Sequence, residues 1–266
     1  MKTGILITAR LKSTRLPMKL LLDLNGKTLV ERVIDRCKLV EGVDQIVLCT
    51  SPNPQDKPLI EIAQRNGIDY FLGNELDVLQ RLSDTSKFFG FSHILSITGE
   101  NPLFSLVYAN RTMKVLSGQK KDFVMFEGLP IGCAVYGLNP KALEVVCQVK
   151  KEVDTEIWGP LINRPEIFDV YTEKVGDFYF RPSLRITCDY PEDYQFLQTI
   201  FEHYDSTKVP TLQEALQLLD KNPKYLKIHG HKKQASLPPE ILKRIDGYYE
   251  NNFEKIVLIK KYLFEA

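Results

Sequence analysis

The chain has 266 residues, enough for one large domain or a domain with a smaller appendage, and its 44% hydrophobic and 26% charged residues are ordinary globular usage. A chain of this length buries roughly 70–75% of the surface its unfolded form exposes, so a core needs neither disulfides nor a structural metal. Its 35 Lys and Arg against 34 Asp and Glu leave a formal charge of +1, which argues against a nucleic-acid coat or a membrane-surface protein, and the apolar fraction argues against disorder. In chain order, Gly4–Thr8 is a continuous apolar run suited to a strand buried on both faces. A helix follows from about Leu29, with Thr28 and Glu31 at capping-box spacing and Leu29, Val33 and Cys37 on one face. Gln45–Thr50 reads as a second strand. The next helix has Pro58 near its start and Gly67 at its end. Asp69–Leu72 reads as a short third strand, Asp77–Phe89 as a helix ending at Gly90, and His93–Thr98 as a fourth strand. This alternation implies a parallel sheet with right-handed crossovers, whose ligands bind at the carboxyl ends of the strands. Further on, Leu106–Leu116 reads as a helix, Phe123–Phe126 and Gly132–Leu138 as strands, and Pro140–Lys150 as a helix. The stretch Asp154–Glu173 holds the single Trp158, with Pro160 and Pro165 breaking regular structure and a strand over Asp169–Thr172. Arg185–Cys188 reads as a strand running into Asp189, and Pro191 opens a helix through Tyr204. Thr211 and Glu214 cap a short helix, Lys224–Ser236 is a polar, basic linker, and Pro239 to about Leu263 forms one or two terminal helices.

Five widely spaced cysteines (Cys37, Cys49, Cys133, Cys147, Cys188), without a C-x-x-C, indicate neither a disulfide framework nor a zinc site. The opening apolar run is too short for a signal-peptide core, and no stretch approaches the length of a spanning helix. A cytoplasmic protein without membrane insertion is expected. The densest chemistry follows the first strand. Arg10, Lys12, Arg15 and Lys19, with the hydroxyls of Ser13 and Thr14, fall within ten residues. Arg grips phosphate oxygens bidentately and Lys acts as a point charge, so such a loop at a strand's carboxyl end suits a polyanion; a solvated basic turn is the plain alternative. Neither G-x-x-x-x-G-K-[ST] nor G-x-G-x-x-G is present, which points away from P-loop and dinucleotide enzymes.

The stretch Ile7-Thr-Ala-Arg10…Ser13-Thr-Arg-Leu-Pro17-x-Lys19…Gly26-Lys27…Glu31-Arg-Val resembles the nucleotide-binding opening of sugar cytidylyltransferases. The similarity continues through Asp77-Val-Leu79-x-Arg81, Ile97-Thr-Gly-Glu100-Asn-Pro-Leu103 and Leu184-Arg-Ile-Thr-Cys-Asp189-Tyr-Pro-Glu-Asp193, covering roughly residues 1–205. The family is that of the spore-coat polysaccharide biosynthesis cytidylyltransferases. More distant are the cytidylyltransferases for 3-deoxy-manno-octulosonate and sialic acid. The resemblance implies a three-layer α/β nucleotidyltransferase fold, like that of the nucleotide-diphospho-sugar transferases, with a mostly parallel central sheet. It would span 1–222, with a dimerising excursion at 154–173, ahead of a linker and helical C-terminal extension at 223–266. It implies Mg²⁺-dependent transfer of CMP from CTP to a sugar or sugar-acid hydroxyl, with release of pyrophosphate, in surface or capsular polysaccharide biosynthesis. Arg10, Arg15 and Lys19 would be catalytic cations. Ala9, Ser13, Thr14, Asp77 and Thr98 would join them around the nucleotide, and Glu100 and Asp189 would be metal carboxylates. A homodimer is implied, with Trp158 suited to an interface or to a core.

Three positions depart from the family. Glu100 stands where relatives have Asp, reaching one C–C bond further, and magnesium tolerates little geometric slack. Ser96 stands where many relatives have Arg. Around the strand expected to border the acceptor, an acidic pattern is replaced by Gly132, Cys133 and Tyr136, a more neutral wall. Two other readings stay open: a catalytically weak nucleotide-binding homologue, and a nucleotide-sugar-dependent glycosyltransferase, which the lack of a D-x-D near the middle strands disfavours. Asp77 also reads as a helix cap, Asp189 as a helix N-terminal acid, Cys133 as a structural cysteine, and His229, His231, Lys232 and Lys233 as a solvated patch.

Overall fold

The computed structural model describes residues 1–228 and 234–265, so His229, His231, Lys232 and Lys233 lie outside the described residues. Among the described residues, β1 (Thr3–Thr8), β2 (Gln45–Thr50), β3 (Asp69–Leu72), β4 (His93–Thr98), β5 (Phe123–Glu127), β6 (Tyr136–Leu138) and β7 (Val170–Lys174) form one sheet in the order β3-β2-β1-β4-β6-β5-β7. Neighbours are parallel except around β6, which runs antiparallel to β4 and β5.

Side-chain alternation along each strand feeds two cores. Ile5 and Ile7 of β1 join Leu48, Leu95, Ile97 and Val124 on one face. That face is covered by α1 (Leu29–Cys37), α2 (Lys57–Arg65), α4 (Leu106–Gln119), α7 (Pro191–Phe201) and α8 (Leu212–Lys221). Leu6, Val47, Cys49, Ile94, Phe123 and Leu138 point the other way. They meet α3 (Val78–Phe89), α5 (Pro140–Val149), the single-turn α6 (Gly159–Ile162), α9 (Pro239–Asn251) and α10 (Phe253–Glu265). The result is the three-layer α/β arrangement with a mostly parallel sheet that the sequence led us to expect. The expected boundaries hold where a cap marks them. Thr28 and Glu31 close a capping box on α1, and Gly90 ends α3 in the left-handed region at φ 69°.

Two expected strands change. Tyr136–Leu138 alone pairs out of Gly132–Leu138, because residues 128–135 form a loop around two left-handed glycines, Gly128 and Gly132. Arg185–Cys188 is not a strand: Arg185 makes one isolated bridge to Ile131, and the segment's polar groups serve a charge cluster described below. The helix opened by Pro191 stops at Phe201 instead of Tyr204, and the segment expected as a linker contains a 3-10 turn over Pro223–Lys227.

Trp158 is 7% exposed and packs edge-on against Phe123 and Tyr136, which makes it a core residue. Ile245, Tyr249 and Ile256 of the C-terminal helices are buried in the same core, and the Tyr249 hydroxyl donates to the Leu161 carbonyl at 2.7 Å. No described helix is long and apolar enough to cross a membrane.

The chain leaves β1 through α1 toward β2 on one side, then returns through α3 to β4 on the other side of β1. The carboxyl ends of β1 and β4 therefore flank a topological switch point, where an open α/β sheet forms its ligand crevice. Gly99 N–H donates to the Thr8 carbonyl at 2.9 Å, carrying the pairing to the edge of that crevice.

Candidate active site

The loop after β1 is pinned at both ends by apolar residues and leaves its cations between them. Leu11 and Leu20 are each 1% exposed. The Leu11 N–H donates to Asp56 Oδ1 at 2.7 Å, and Asp56 is itself buried and held by Ser51. A 3-10 turn over Lys19–Leu21 follows Met18, whose left-handed backbone reverses the chain. Anchored in this way, Arg15 and Lys19 face one carboxylate oxygen, Asp189 Oδ1, at 3.1 and 2.9 Å.

Asp189 lies 7% exposed just before α7. Burial opposes its charge, but Lys19, Arg185 and Arg15 outweigh burial and hold its carboxyl below the usual range. Arg185 reaches Asp189 Oδ2 at 2.5 Å. It also binds Asp193 through Nε and Nη2, both at 3.0 Å. Asp193 in turn accepts the N–H groups of Asp189 at 2.9 Å and Tyr190 at 3.0 Å. The guanidinium of Arg15 lies 5.0 Å from the Tyr190 ring centroid, a cation–π distance.

Glu100 completes the recess. Its carbonyl accepts the Cys188 N–H at 3.2 Å, which ties the loop after β4 to the residue before Asp189. Burial pushes the Glu100 carboxyl above its usual range; Lys19 opposes this and the Asp189 carboxylate adds to it. Arg15, Lys19, Glu100 and Asp189, separated by up to 174 positions in the sequence, thus share one cleft. Among the described residues no group of three or more His, Cys, Asp or Glu is placed to hold a metal ion; the carboxylates that face Lys19 are Glu100 and Asp189.

The other expected residues divide. Ser13 and Thr14 sit in the loop, Ser13 Oγ accepting from the Leu16 N–H at 3.4 Å and Thr14 exposed. Arg10 makes no contact with Asp189 among those seen for Arg15 and Lys19; it donates to the Glu75 carbonyl and to the Glu156 carboxylate, each at 2.5 Å. Ala9 is 3% exposed and gives its N–H to the Cys49 carbonyl. The Thr98 hydroxyl accepts from the Asn101 amide at 2.5 Å, and the Asn101 Oδ1 is buried without a partner.

Asp77 is turned inward. It caps α3 by accepting from the Gln80 N–H at 3.0 Å, pairs with Lys150, and accepts from the Thr155 hydroxyl at 2.9 Å. Its side chain serves the fold, as the cap reading expects. Cys133 is wholly buried in the core beneath the sheet, and burial pushes its thiol far up, so it presents no wall to a ligand. Tyr136 stacks against Phe123. Gly132 adopts φ +88°, and a Cβ there would stand 2.6 Å from the Ile186 carbonyl oxygen. Ser96, the second departure, is 3% exposed within β4.

Arg185, Asp193 and Glu156 went unassigned in the sequence. The recurrence of charge at positions 185, 189 and 193 was the available signal for the first two. Nothing local marks Glu156, whose partner Arg10 is 146 positions away.

Comparison with known proteins places this geometry. A spore coat polysaccharide biosynthesis protein of Bacillus subtilis is 24% identical over 225 residues, 82% of this chain and 94% of the relative. A solved cytidylyltransferase structure from Leptospira borgpetersenii superposes with a TM-score of 0.79 at 24% identity, covering 88% of this chain and 100% of that one. The structure of a CMP:2-keto-3-deoxy-manno-octonic acid synthetase complexed with CTP superposes with a TM-score of 0.63 at 15% identity, covering 76% and 99%. The sequence model of the family described as Cytidylyltransferase matches residues 4–253, and the chain belongs to that nucleotidyltransferase family.

Proposed function

We propose that this chain transfers CMP from CTP to a hydroxyl of a sugar or sugar acid and releases pyrophosphate. The observation that carries the reading is the meeting of the Arg15 and Lys19 cations with the Asp189 and Glu100 carboxylates at the switch point between β1 and β4. Arg15 and Lys19 exchange their contact with Asp189 for oxygens of the triphosphate, with Ser13 and Thr14 as further donors. Arg10 joins them when phosphate displaces the carboxylate of Glu156, which is 63% exposed in its side chain. The acceptor's hydroxyl oxygen bonds to the α-phosphorus, and the bond from that phosphorus to the α–β bridging oxygen breaks. Pyrophosphate leaves with that electron pair, and the hydroxyl proton passes to solvent. Fixed cations aimed at the phosphates stabilise the charge that builds on the leaving group without reorganising at the moment of reaction.

A divalent ion fits the acidic side. Glu100 and Asp189 are hard oxygen donors in one recess; burial holds the Glu100 carboxyl above its usual range against the pull of Lys19, and a bound cation would add to that pull. Magnesium takes one or two carboxylates and completes its shell with phosphate oxygens and water. When bound, such an ion neutralises phosphate charge and orients the triphosphate. The CTP complex of the synthetase above and the name of the Bacillus subtilis relative support cytosine as the base and surface polysaccharide as the pathway. We further place the protein in the cytoplasm as a homodimer joined through residues 154–173.

Calorimetric titration with the four nucleoside triphosphates, with and without Mg²⁺, tests the reading. CTP binds most tightly. Arg15→Ala weakens it about tenfold with or without the ion, the scale of one lost charged hydrogen bond, whereas Asp189→Asn removes chiefly the ion's contribution. Indistinguishable titrations for the parent and both variants overturn the assignment. Pyrophosphate release over a panel of sugars separates an active enzyme from a binding homologue, which takes up CTP and turns over no acceptor.

A further inference from the structure

Three cations meet the Asp189 carboxylate, and they are not equivalent. Arg15, with its side chain 37% exposed, and Lys19 both come from the loop after β1, and both contact Oδ1. Arg185 contacts Oδ2 and is 3% exposed in its side chain. The nitrogen that makes this contact, Nη2, also reaches Asp193, which is 1% exposed; Nε is taken by Asp193 as well, and Nη1 by the Gln234 side chain. Because Asp193 also receives the N–H of Asp189, a closed ring runs from the Asp189 backbone through Asp193 and Arg185 back to the Asp189 carboxylate. A guanidinium's rigid fork suits such a bridge between two carboxylates, and an ammonium cannot reproduce it.

We propose that Arg185 is a positioning residue of this site: it holds Oδ2 of Asp189 permanently, so that only Oδ1 is released when Arg15 and Lys19 turn to a bound nucleotide. The inference rests on the nucleotide reading above and adds a division of labour between the two oxygens. Removing Arg15 or Lys19 from Asp189 breaks contacts that solvent or phosphate replaces. Removing Arg185 would leave two buried carboxylates facing each other, so this contact stays closed. Asp189 is therefore presented as a one-oxygen donor. That geometry suits a small ion with a strict octahedral shell and withholds the two-oxygen grip that larger ions such as Ca²⁺ accept.

The test uses the full chain carrying Arg185→Lys, which keeps the charge and loses the fork. Freed from Arg185, both Asp189 oxygens turn to Arg15 and Lys19 and compete with the triphosphate. Titration of CTP in the absence of any divalent ion then shows affinity lowered about three- to tenfold. Titration of Mg²⁺ and of Ca²⁺ into the protein–CTP complex shows the preference for Mg²⁺ narrowed by about fivefold. Both readouts are independent of turnover. If Arg185→Lys fails to fold, Asp193→Asn, which removes part of Arg185's anchorage, is read by the same two titrations and shifts in the same directions. A lowered thermal midpoint with both titrations matching the parent makes Arg185 merely structural and overturns the inference alone. A parent that binds no nucleotide overturns the proposed function and this inference with it.

Discussion

Gly132 stands where backbone from a distant segment occupies the place of a side chain. A Cβ would meet the Ile186 carbonyl, Thr187 and Asn101 Oδ1, all within 2.9 Å, at a φ of +88°. Left-handed backbone alone costs an L-residue about 1–2 kcal/mol, and the neighbours that must retreat are those that carry the chain into Asp189. Gly132→Ala is therefore expected to lower stability by at least about that amount, and to reduce kcat more than it raises the KM for CTP. Chemical denaturation and steady-state kinetics read the two effects, and unchanged kinetics would detach this loop from the site. At this scale the sequence revealed charge density but not partnership. Four cations in ten residues announced the loop, and a lone Asp after a predicted strand announced position 189. That Asp77 would pair with Lys150, and Arg10 with Glu156, depends on contacts 73 and 146 positions apart, for which the sequence has no local signature.

Two helices begin with the same device. On α1, burial would raise the Glu31 carboxyl, but the Thr28 hydroxyl and N–H, with Asn66 and Arg65, bring it down to about 2. On α8, Lys208 and the Thr211 N–H bring Glu214 down to about 2. Both folded values lie below the unfolded value of about 4.3, so the stabilisation is fully present above that pH and fades as the pH falls from there toward 2. Glu31→Gln is expected to cost about 1 kcal/mol near neutrality, the worth of a helix cap. Urea denaturation of parent and variant should show that gap closing as the solution is acidified through this window; a gap that persists would remove the carboxylate from the account. Elements such as these were legible because a cap and an apolar period agree on one segment, as on α1 and α3, and β1 was legible as an unbroken apolar run. Arg185–Cys188 misled for the opposite reason. Its alternating pattern is that of a strand, but Arg185 is committed to Asp189 and Asp193, and that cluster draws the backbone away from the sheet after one bridge to Ile131.

The molecule closes its second core with its last helices. The family match ends at residue 253, where α10 begins, yet Ile256 on that helix is fully buried against the face that holds Trp158 and Leu143. Ile256→Ala is expected to cost about 2–5 kcal/mol, the range for emptying a buried aliphatic site, and to leave metal-free CTP affinity unchanged well below the unfolding transition, because the cleft lies at the switch point and draws on the other loops. Thermal unfolding followed by calorimetry checks both parts, and a loss of affinity matching the loss of stability would show that the last helix reaches the cleft.

The cleft's two halves also differ in age. Lys19 and its acidic partner Asp189 are 170 positions apart, and at about 5–20 residues per second a ribosome needs roughly 10–30 s to travel that distance. Throughout that interval a nascent chain displays the grip without its counterweight. The first loop to be made is thus among the last to find its resting place, and the pocket is assembled in the order of synthesis, not in the order of use.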